Sequence, residues 1–520
     1  MTPARTVTAR DWAGFLALIV GMFMAILDIQ IVSSSLSEIQ AGLSAGRDEI
    51  SWVQTSYLIA EVVMIPLSGW LVRVFSTRWL FLASALTFTL SSAACGMAWN
   101  IESMIIFRGL QGFLGGAMIP TVFSTAFLLF PREKQPTITV IIGLVATTAP
   151  TLGPVVGGWI TEQTSWHWLF LINLPIGLAV SAAVFFLVDV DKPNLKMLER
   201  IDFQGIALMA IFLGCLQYTL EEGPGEDWLD SGKILLFATI TASAFVLFVW
   251  HELTCERPVV DLLAFRDKNF LSGSTFSFVI GAGLYGSVYL LPLFLARVRG
   301  MNSLDIGITM IVTGAFQFLS APLAGAMARK VDPRLMLSLG LGFFGIGLYL
   351  TATVTSDWGF WELFLPQAVR GLSLMLCFVP INALALGTLP REELQNASGL
   401  YNLTRNLGGA IGLAILNTIL NERFDHHRAR LAESLSPARP EALAALEGLS
   451  ARLGDLTTLS CDSVALKALS RLIDREAWTL TFADAFLALA VPFALALLLM
   501  PWVSKVRPGG DGDGDGGGGH

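Results

Sequence analysis

The chain has 520 residues, of which 54% are hydrophobic and 14% charged, with 33 basic and 41 acidic side chains for a net charge of −8. Ordinary globular chains carry about 25% charged residues because a water-facing surface must be solvated, so this composition excludes a soluble enzyme. No basic block resembles a nucleic-acid footprint, so nucleic acid is excluded as a partner.

Apolar runs of membrane-spanning length recur along nearly the whole sequence, which marks one polytopic membrane protein in contact with lipid. The first run, 12–34, is too long for a signal-peptide core and is read as a retained span. Further spans are expected near 51–72, 79–98, 103–130, 137–160 and 166–188, then near 203–220 and 233–251. Six more follow near 270–296, 304–328, 335–354, 359–388, 397–420 and 479–503, for a total of fourteen. The runs are continuously apolar rather than alternating, so a closed barrel is excluded and each backbone satisfies itself as a helix. The fold class expected is therefore an all-α membrane protein. An even number of spans puts both termini on one side. Connectors on that side hold eighteen Lys and Arg, against four in the short connectors opposite, which makes both termini cytoplasmic.

An ionisable group inside a bilayer costs a few kcal/mol, about 2.5–3.5 on the lenient scales, so it lines a cavity or meets a partner. In the first span Gly14, Gly21 and Asp28 recur at seven-residue spacing on one helical face. Gln54, Tyr57, Glu61 and Ser68 share a face of the second. In the fourth, Arg108 shares a face with Gln111, Gly112 and Gly115, a cation among small neighbours that permit close approach. At 1.5 Å per residue, Asp28, Glu61 and Arg108 all lie about 9–15 Å from the outer ends of their helices, in one layer. Desolvation and a neighbouring cation act in opposite directions on a buried carboxyl, so a small rearrangement loads or releases a proton. A static ion pair that locks helix packing uses the same residues. Candidate cavity-lining residues are Gln54, Tyr57, Glu61, Gln111, Arg370 and Arg405, the last two with no intramembrane acid to match them.

In the fifth span Gly153 with Gly157, and Pro154 with Gly158, remove side chains from one face, while Pro150 and Pro154 remove two backbone donors. Close helix contact with a bend follows, and either a packing motif or a conformational one uses it. Phe107-Arg108-Gly109-Leu110 is echoed by Val369-Arg370-Gly371-Leu372, each with a proline about ten residues on, Pro120 and Pro380. This echo suggests a duplicated bundle. The histidines His167, His251, His426 and His427 are scattered along the chain, the five cysteines form no framework, and no phosphate-binding loop is present. No metal and no cofactor are expected. In the long segment before the last span, Leu443, Leu446, Leu449 and Leu453 recur at helical spacing and predict a short amphipathic helix.

Ile26-Leu27-Asp28 with Ile31-Val32, Arg108-Gly109-Leu110-Gln111-Gly112, and Gly153-Pro154-Val155-Val156-Gly157-Gly158 resemble the signature motifs of the major facilitator superfamily. The likeness is to its fourteen-span drug:proton antiporters of the EmrB type, and it extends nearly end to end. Asn173-Leu174-Pro175-Ile176-Gly177, Pro258-Val259-Val260-Asp261, Pro366-Gln367 and Thr404-Arg405 belong to it. The resemblance implies two six-helix bundles rocking about a central site, with two inserted helices. The divisions are an amino-terminal bundle at 1–192, the inserted pair at 193–262 and the first five helices of the second bundle at 263–420. A periplasmic loop at 421–478, the last helix at 479–504 and a Gly-rich cytoplasmic tail at 505–520 complete the chain. Asp28 and Arg108 match the family's proton-coupling positions. Two departures stand out. The connector Gly69 to Arg78 contains Ser76-Thr77 and lacks the full glycine, aspartate and paired-basic pattern, and Glu61 stands where the EmrB type carries a neutral residue. The function implied is proton-coupled efflux of amphipathic or apolar small molecules across a bacterial inner membrane. A dedicated exporter of one fatty acid, lipid or siderophore has the same motifs. The partners implied are an EmrA-like periplasmic adaptor and a TolC-like outer-membrane channel, with a self-covering lid as the other reading of the long loop.

Overall fold

The computed structural model describes residues 7–503 apart from 34, 132, 257 and 434–460. Among the described residues, thirteen helices are long and apolar enough to cross a membrane. One of them, Trp52–Cys95, runs for 44 residues, about 66 Å at 1.5 Å per residue, which is twice the hydrocarbon thickness. It is two spans joined without a loop. Ser76 leaves helical space, at φ 73° and ψ 158°, and breaks the run. Fourteen spanning helices result, numbered here α1 (Ala9–Ser33), α2 (52–75), α3 (77–95), α4 (Ile101–Leu129), α5 (Gln135–Gln163), α6 (His167–Leu187), α7 (Phe203–Glu222) and α8 (Gly232–Thr254). The remainder are α9 (Lys268–Arg297), α10 (Ser303–Met327), α11 (Pro333–Thr351), α12 (Phe360–Leu386), α13 (Leu394–Glu433) and α14 (Cys461–Leu499).

Several starts are fixed by capping side chains that satisfy free backbone N–H groups. Asn100 accepts from the Ser103 N–H, Asp202 from Gly205, Asp267 from Asn269 and Phe270, and Asn302 from Asp305. Between caps, small residues set how closely the helices pack. A Cβ on Gly112 or Gly116 of α4 would run into the main-chain carbonyls of Tyr57 and Glu61, so α2 and α4 touch backbone to backbone. On the other side of the molecule, Gly371 of α12 meets the Thr313 carbonyl of α10 in the same way.

Two bundles, α1–α6 and α9–α14, meet along α5 against α10 and α2 against α13. The end of the molecule where α1 begins is called proximal here, and the opposite end distal. At the proximal end the bundles are in contact. Gly69 lies against the backbone of Gln395 and Asn396, Gly399 against Ile65 and Pro66, and Ser398 Oγ donates to the Pro120 carbonyl at 2.7 Å. Asp191 joins this closure, accepting from the Thr77 N–H at 2.9 Å and from Gln395 Nε2 at 3.3 Å. The inserted helices α7 and α8 pack on each other, and α7 also packs on both bundles.

The structure differs from expectation in the segment 421–478. Helix α13 continues to Glu433 and α14 begins at Cys461, so both flanks of the expected loop are helical. Facing side chains account for this. Arg423 and His427 both reach Asp484, at 2.7 and 2.8 Å, Arg428 reaches Asp474 at 2.7 Å, and Phe424 stacks on Trp478 with centroids 4.2 Å apart. The amphipathic helix expected at Leu443–Leu453 and the Gly-rich tail lie outside the described residues.

Two predictions follow from the connectors. Ser76 occupies a backbone region open mainly to glycine, and such strain costs about 1–3 kcal/mol. Ser76→Gly is expected to raise the thermal unfolding temperature in detergent, and a lowered one would show that the serine side chain is needed there. Burial pushes the Asp191 carboxyl up from its ordinary range, with the Thr77 and Gln395 hydrogen bonds opposing. Opening the proximal end exposes the group and restores the ordinary value, so closing is coupled to proton uptake and is favoured as pH falls through the raised value. Asp191→Asn is expected to shift the population toward proximal closure and to flatten that pH dependence in spin-label distances. An unchanged pH profile would remove Asp191 from the latch.

Candidate functional site

Asp28 on α1 and Arg108 on α4 form an ion pair with no side-chain exposure, Arg108 Nη1 donating to Asp28 Oδ2 at 2.7 Å. Desolvating both charges is expensive, and the surrounding donors and acceptors offset that cost. Asn173 Nδ2 and Gln111 Nε2 donate to Asp28 Oδ1 at 2.7 and 3.1 Å. Arg108 also donates through Nη1 to Gln111 Oε1 at 2.7 Å and through Nε to the Val53 carbonyl at 3.1 Å. The Tyr57 ring lies 4.2 Å from the guanidinium carbon. One donor, Arg108 Nη2, is buried without a partner.

Four helices place this cluster. The close approach of α2 and α4 at Gly112 and Gly116 brings Tyr57 and the Val53 carbonyl onto Arg108. A break at Ile172 divides α6, and Asn173 opens its second segment, with Nδ2 donating also to Ser92 Oγ of α3 at 3.0 Å. Sequence reasoning named Asn173 only within a family-like stretch and gave it no role at the pair, because a lone polar residue in a span has no periodic signal.

Glu61, on α2, is 2% exposed and stands apart from the pair. It lines a cavity of about 60 Å³ together with Gln54, Gln217, Glu221, Tyr285 and Asn406. That chamber shares Gln30, Gln54, Glu221 and Tyr285 with a larger cavity of about 480 Å³ in the distal half, between the bundles. Tyr289, Pro154 and Asn417 line the larger one.

Of the six residues expected at the cavity, Gln54 and Glu61 are on these walls. Tyr57 and Gln111 have no exposure and belong to the shell of Arg108. Arg370 is buried against α10, with Nη2 3.4 Å from Thr313 Oγ1. Arg405 is packed among the rings of Phe123, Phe378 and Tyr401 and hydrogen-bonds Asn402. Both arginines meet neutral partners, because a helix face shared with small or polar residues serves packing as well as a cavity. In α5, Gly153 lies against Gln30 of α1, Pro154 is on the cavity wall, and Val155 fills the space beside Gly307 of α10. The stretch from Pro150 to Gly158 therefore runs where the two bundles meet.

Glu221 and Gln217 were not anticipated at all. The span containing them was expected to end at 220, which left Glu221 in a loop, and only tertiary packing turns it inward. Folding also gathers residues that are distant in sequence at the proximal end of the inserted pair. Asp202, His251 and Cys255 have ligand-capable atoms within 4.8 Å of one another, whereas the scattered histidines had suggested no such constellation. The direct His251 Nε2 contact to the Asp202 carboxylate, at 2.8 Å, explains the grouping as an ion pair or hydrogen bond between the ends of α7 and α8.

Two packed bundles, glycine-mediated contacts between them and a cavity along their junction are the architecture of a transporter. A family model described as Major Facilitator Superfamily matches residues 18–413. The chain belongs to the major facilitator superfamily. It is 41% identical to the colistin resistance protein EmrB of Acinetobacter baumannii over 94% of both chains. It is 32% identical to the multidrug export protein EmrB of Escherichia coli (strain K12), over 84% of this chain and 85% of that one. Among solved structures it is similar in fold to the human organic anion transporter MFSD10, with a TM-score of 0.60 and 12% identity over 95% of this chain and 100% of that one. This member of the superfamily is thus EmrB-like, a multi-pass bacterial inner-membrane transporter and not an enzyme.

Removing one partner of a buried pair costs about 3–5 kcal/mol, because the other charge is left uncompensated. Arg108→Met is accordingly expected to lower the unfolding temperature sharply, and Asp28→Asn in the same chain to restore most of the loss. Additive losses in the double variant, read by thermal unfolding in detergent, would show that the two groups are not energetically coupled.

Proposed function

We propose that this superfamily member exports drugs or other amphipathic and apolar small molecules across the inner membrane in exchange for protons, by alternating access. The observation that carries the reading is a cavity at one end of the bundle junction, contact between bundles at the other, and ionisable groups sunk between. The excess of Lys and Arg in the proximal connectors supports placing that end in the cytoplasm. The conformation described is then the outward-facing one. Protonation of Asp28 or Glu61 from the outside accompanies release of the compound, and deprotonation toward the inside resets the cycle. Arg108 is the group that competes with the proton for Asp28. Pro150 and Pro154 sit in α5 where the bundles would slide, which suits a conformational role for Gly153, Gly157 and Gly158.

The energetics are sufficient. One proton moving down about 100 mV and one pH unit releases roughly 2.3 plus 1.4 kcal/mol, enough for a gradient of several hundredfold in a neutral compound. The resemblance to the EmrB type supports a tripartite pump with an EmrA-like periplasmic adaptor and a TolC-like outer-membrane channel. The helical extensions of α13 and α14 past the membrane are the surface on which such an adaptor would dock.

Inverted vesicles carrying the parent, Asp28→Asn and Glu61→Gln test the coupling. The parent is expected to move a dye or drug only when a proton gradient is imposed, with at least a tenfold loss of rate in Asp28→Asn and a partial loss in Glu61→Gln. Parent-like pumping by both variants would overturn the assignment of the coupling groups.

A further inference from the structure

The walls of the two adjoining cavities carry an unequal set of ionisable groups. Glu61 and Glu221 are on them, and among the described residues no lysine, arginine or histidine is. Arg297 and Arg405 are engaged elsewhere, Arg297 over the Trp478 ring at 4.5 Å and Arg405 among three aromatic rings. Asp28 is neutralised by Arg108. Glu221 has no counterpart of this kind. Its carboxyl makes no hydrogen bond or ion pair among the described residues and is exposed to the larger cavity at the distal end of α7. Glu222, the next residue, adds a second acid behind it, with Oε1 buried and unpartnered. Tyr285 and Tyr289 line the same cavity, and aromatic rings attract cations to their faces.

A glutamate with two tyrosines on the wall of a chamber of about 480 Å³ is, when its carboxyl is ionised, complementary to a drug-sized organic cation and repels an anion of the same shape. We propose that the cavity selects amphipathic cations, and that Glu221, supplied by the inserted helix α7, is the group that selects them. The inference rests on reading the cavity as the substrate chamber. It gives the inserted pair a role in recognition, and it sets fatty-acid anions against the grain of the site.

Tetraphenylphosphonium and tetraphenylborate have the same shape and opposite charge, so their affinities for the purified full-length protein in detergent isolate the electrostatic contribution. The parent is expected to bind the cation at least tenfold more tightly than the anion. Glu221→Gln is expected to reduce that ratio at least tenfold, and Glu221→Asp to keep most of it, with thermal unfolding confirming that each variant is folded. Equal affinities in the parent, or an undiminished ratio in Glu221→Gln, would overturn the proposal. Vesicle transport of the two ions is a separate measurement. If neither moves under a proton gradient while the binding ratio behaves as expected, the transport reading fails and the charge selectivity of the cavity stands.

Discussion

A carboxylate and a guanidinium with no exposure, held by two amides, a backbone carbonyl and a tyrosine ring, tie four helices of the amino-terminal bundle together by directional contacts. Replacing such a pair by well-packed hydrophobic residues is often neutral or stabilising, so the pair is not there for stability alone. Its geometry requires α1, α2, α4 and α6 to be in register at once, and the glycines of α4 make that possible by admitting α2 to backbone contact. The carboxyl-terminal bundle shows what the same scaffold does without the acid. Arg370, in the string that echoes the one around Arg108, meets only the neutral side chain of Thr313, with Gln367 beside it, and leaves Nη1 unpartnered. The duplicated architecture thus carries the buried acid–base pair in the first bundle and unmatched arginines in the second.

Contact between the bundles has a different character at each end. The proximal closure consists of glycines against main chain, with Gly69 and Gly399 removing the side chains that would otherwise interdigitate. Deeper in the junction Phe123 of the first bundle packs among Phe378, Tyr401 and Arg405 of the second, and polar links such as Ser398 to Pro120, Asp191 to Gln395 and Arg329 to Thr137 are single hydrogen bonds. At the distal end the walls are spaced by the cavity. The fold therefore places a closed seam opposite an open one, which is the asymmetry that alternating access asks of a bundle junction.

Much of this was legible in the sequence, and the parts that were not have a common cause. Span number follows from hydrocarbon thickness and composition, so fourteen spans could be counted even where Ser76 replaces a loop by a single residue. Asp28 and Arg108 announce themselves because a lone charge in an apolar run is costly. Glu221 does not, since a glutamate at the end of a span looks like any interfacial residue until a neighbouring bundle encloses it. Tyr57 and Gln111 were placed on the right faces, yet the guanidinium they surround fills the space that a face analysis leaves empty. The 421–478 segment read as a loop because its charges are many, and those charges turn out to pair across two facing helices.

The inserted pair shows why that last kind of information matters. Helix α7 is anchored twice. Gly214 faces Ile59 of α2, while at the distal end Trp228 Nε1 donates to Thr418 Oγ1 at 2.8 Å and Asn421 Nδ2 to the Pro224 carbonyl at 2.9 Å, both on α13. A helix fastened to both bundles cannot follow both when they rock, so one of these attachments must slide. Both hydrogen-bonded links lie beyond Glu221 in the chain, whereas the α2 contact is made by packing, at Gly214 and between the rings of Trp52 and Tyr218, whose centroids are 5.6 Å apart. Hydrogen bonds with fixed partners resist sliding more than apolar contact does. Under the proposed alternating access, the distal end of α7 would travel with α13, and Glu221 would move relative to Gln54 of α2. Under that proposal the place of Glu221 on the chamber wall depends on the conformation, which makes the inserted pair part of the chamber and not merely a brace beside it.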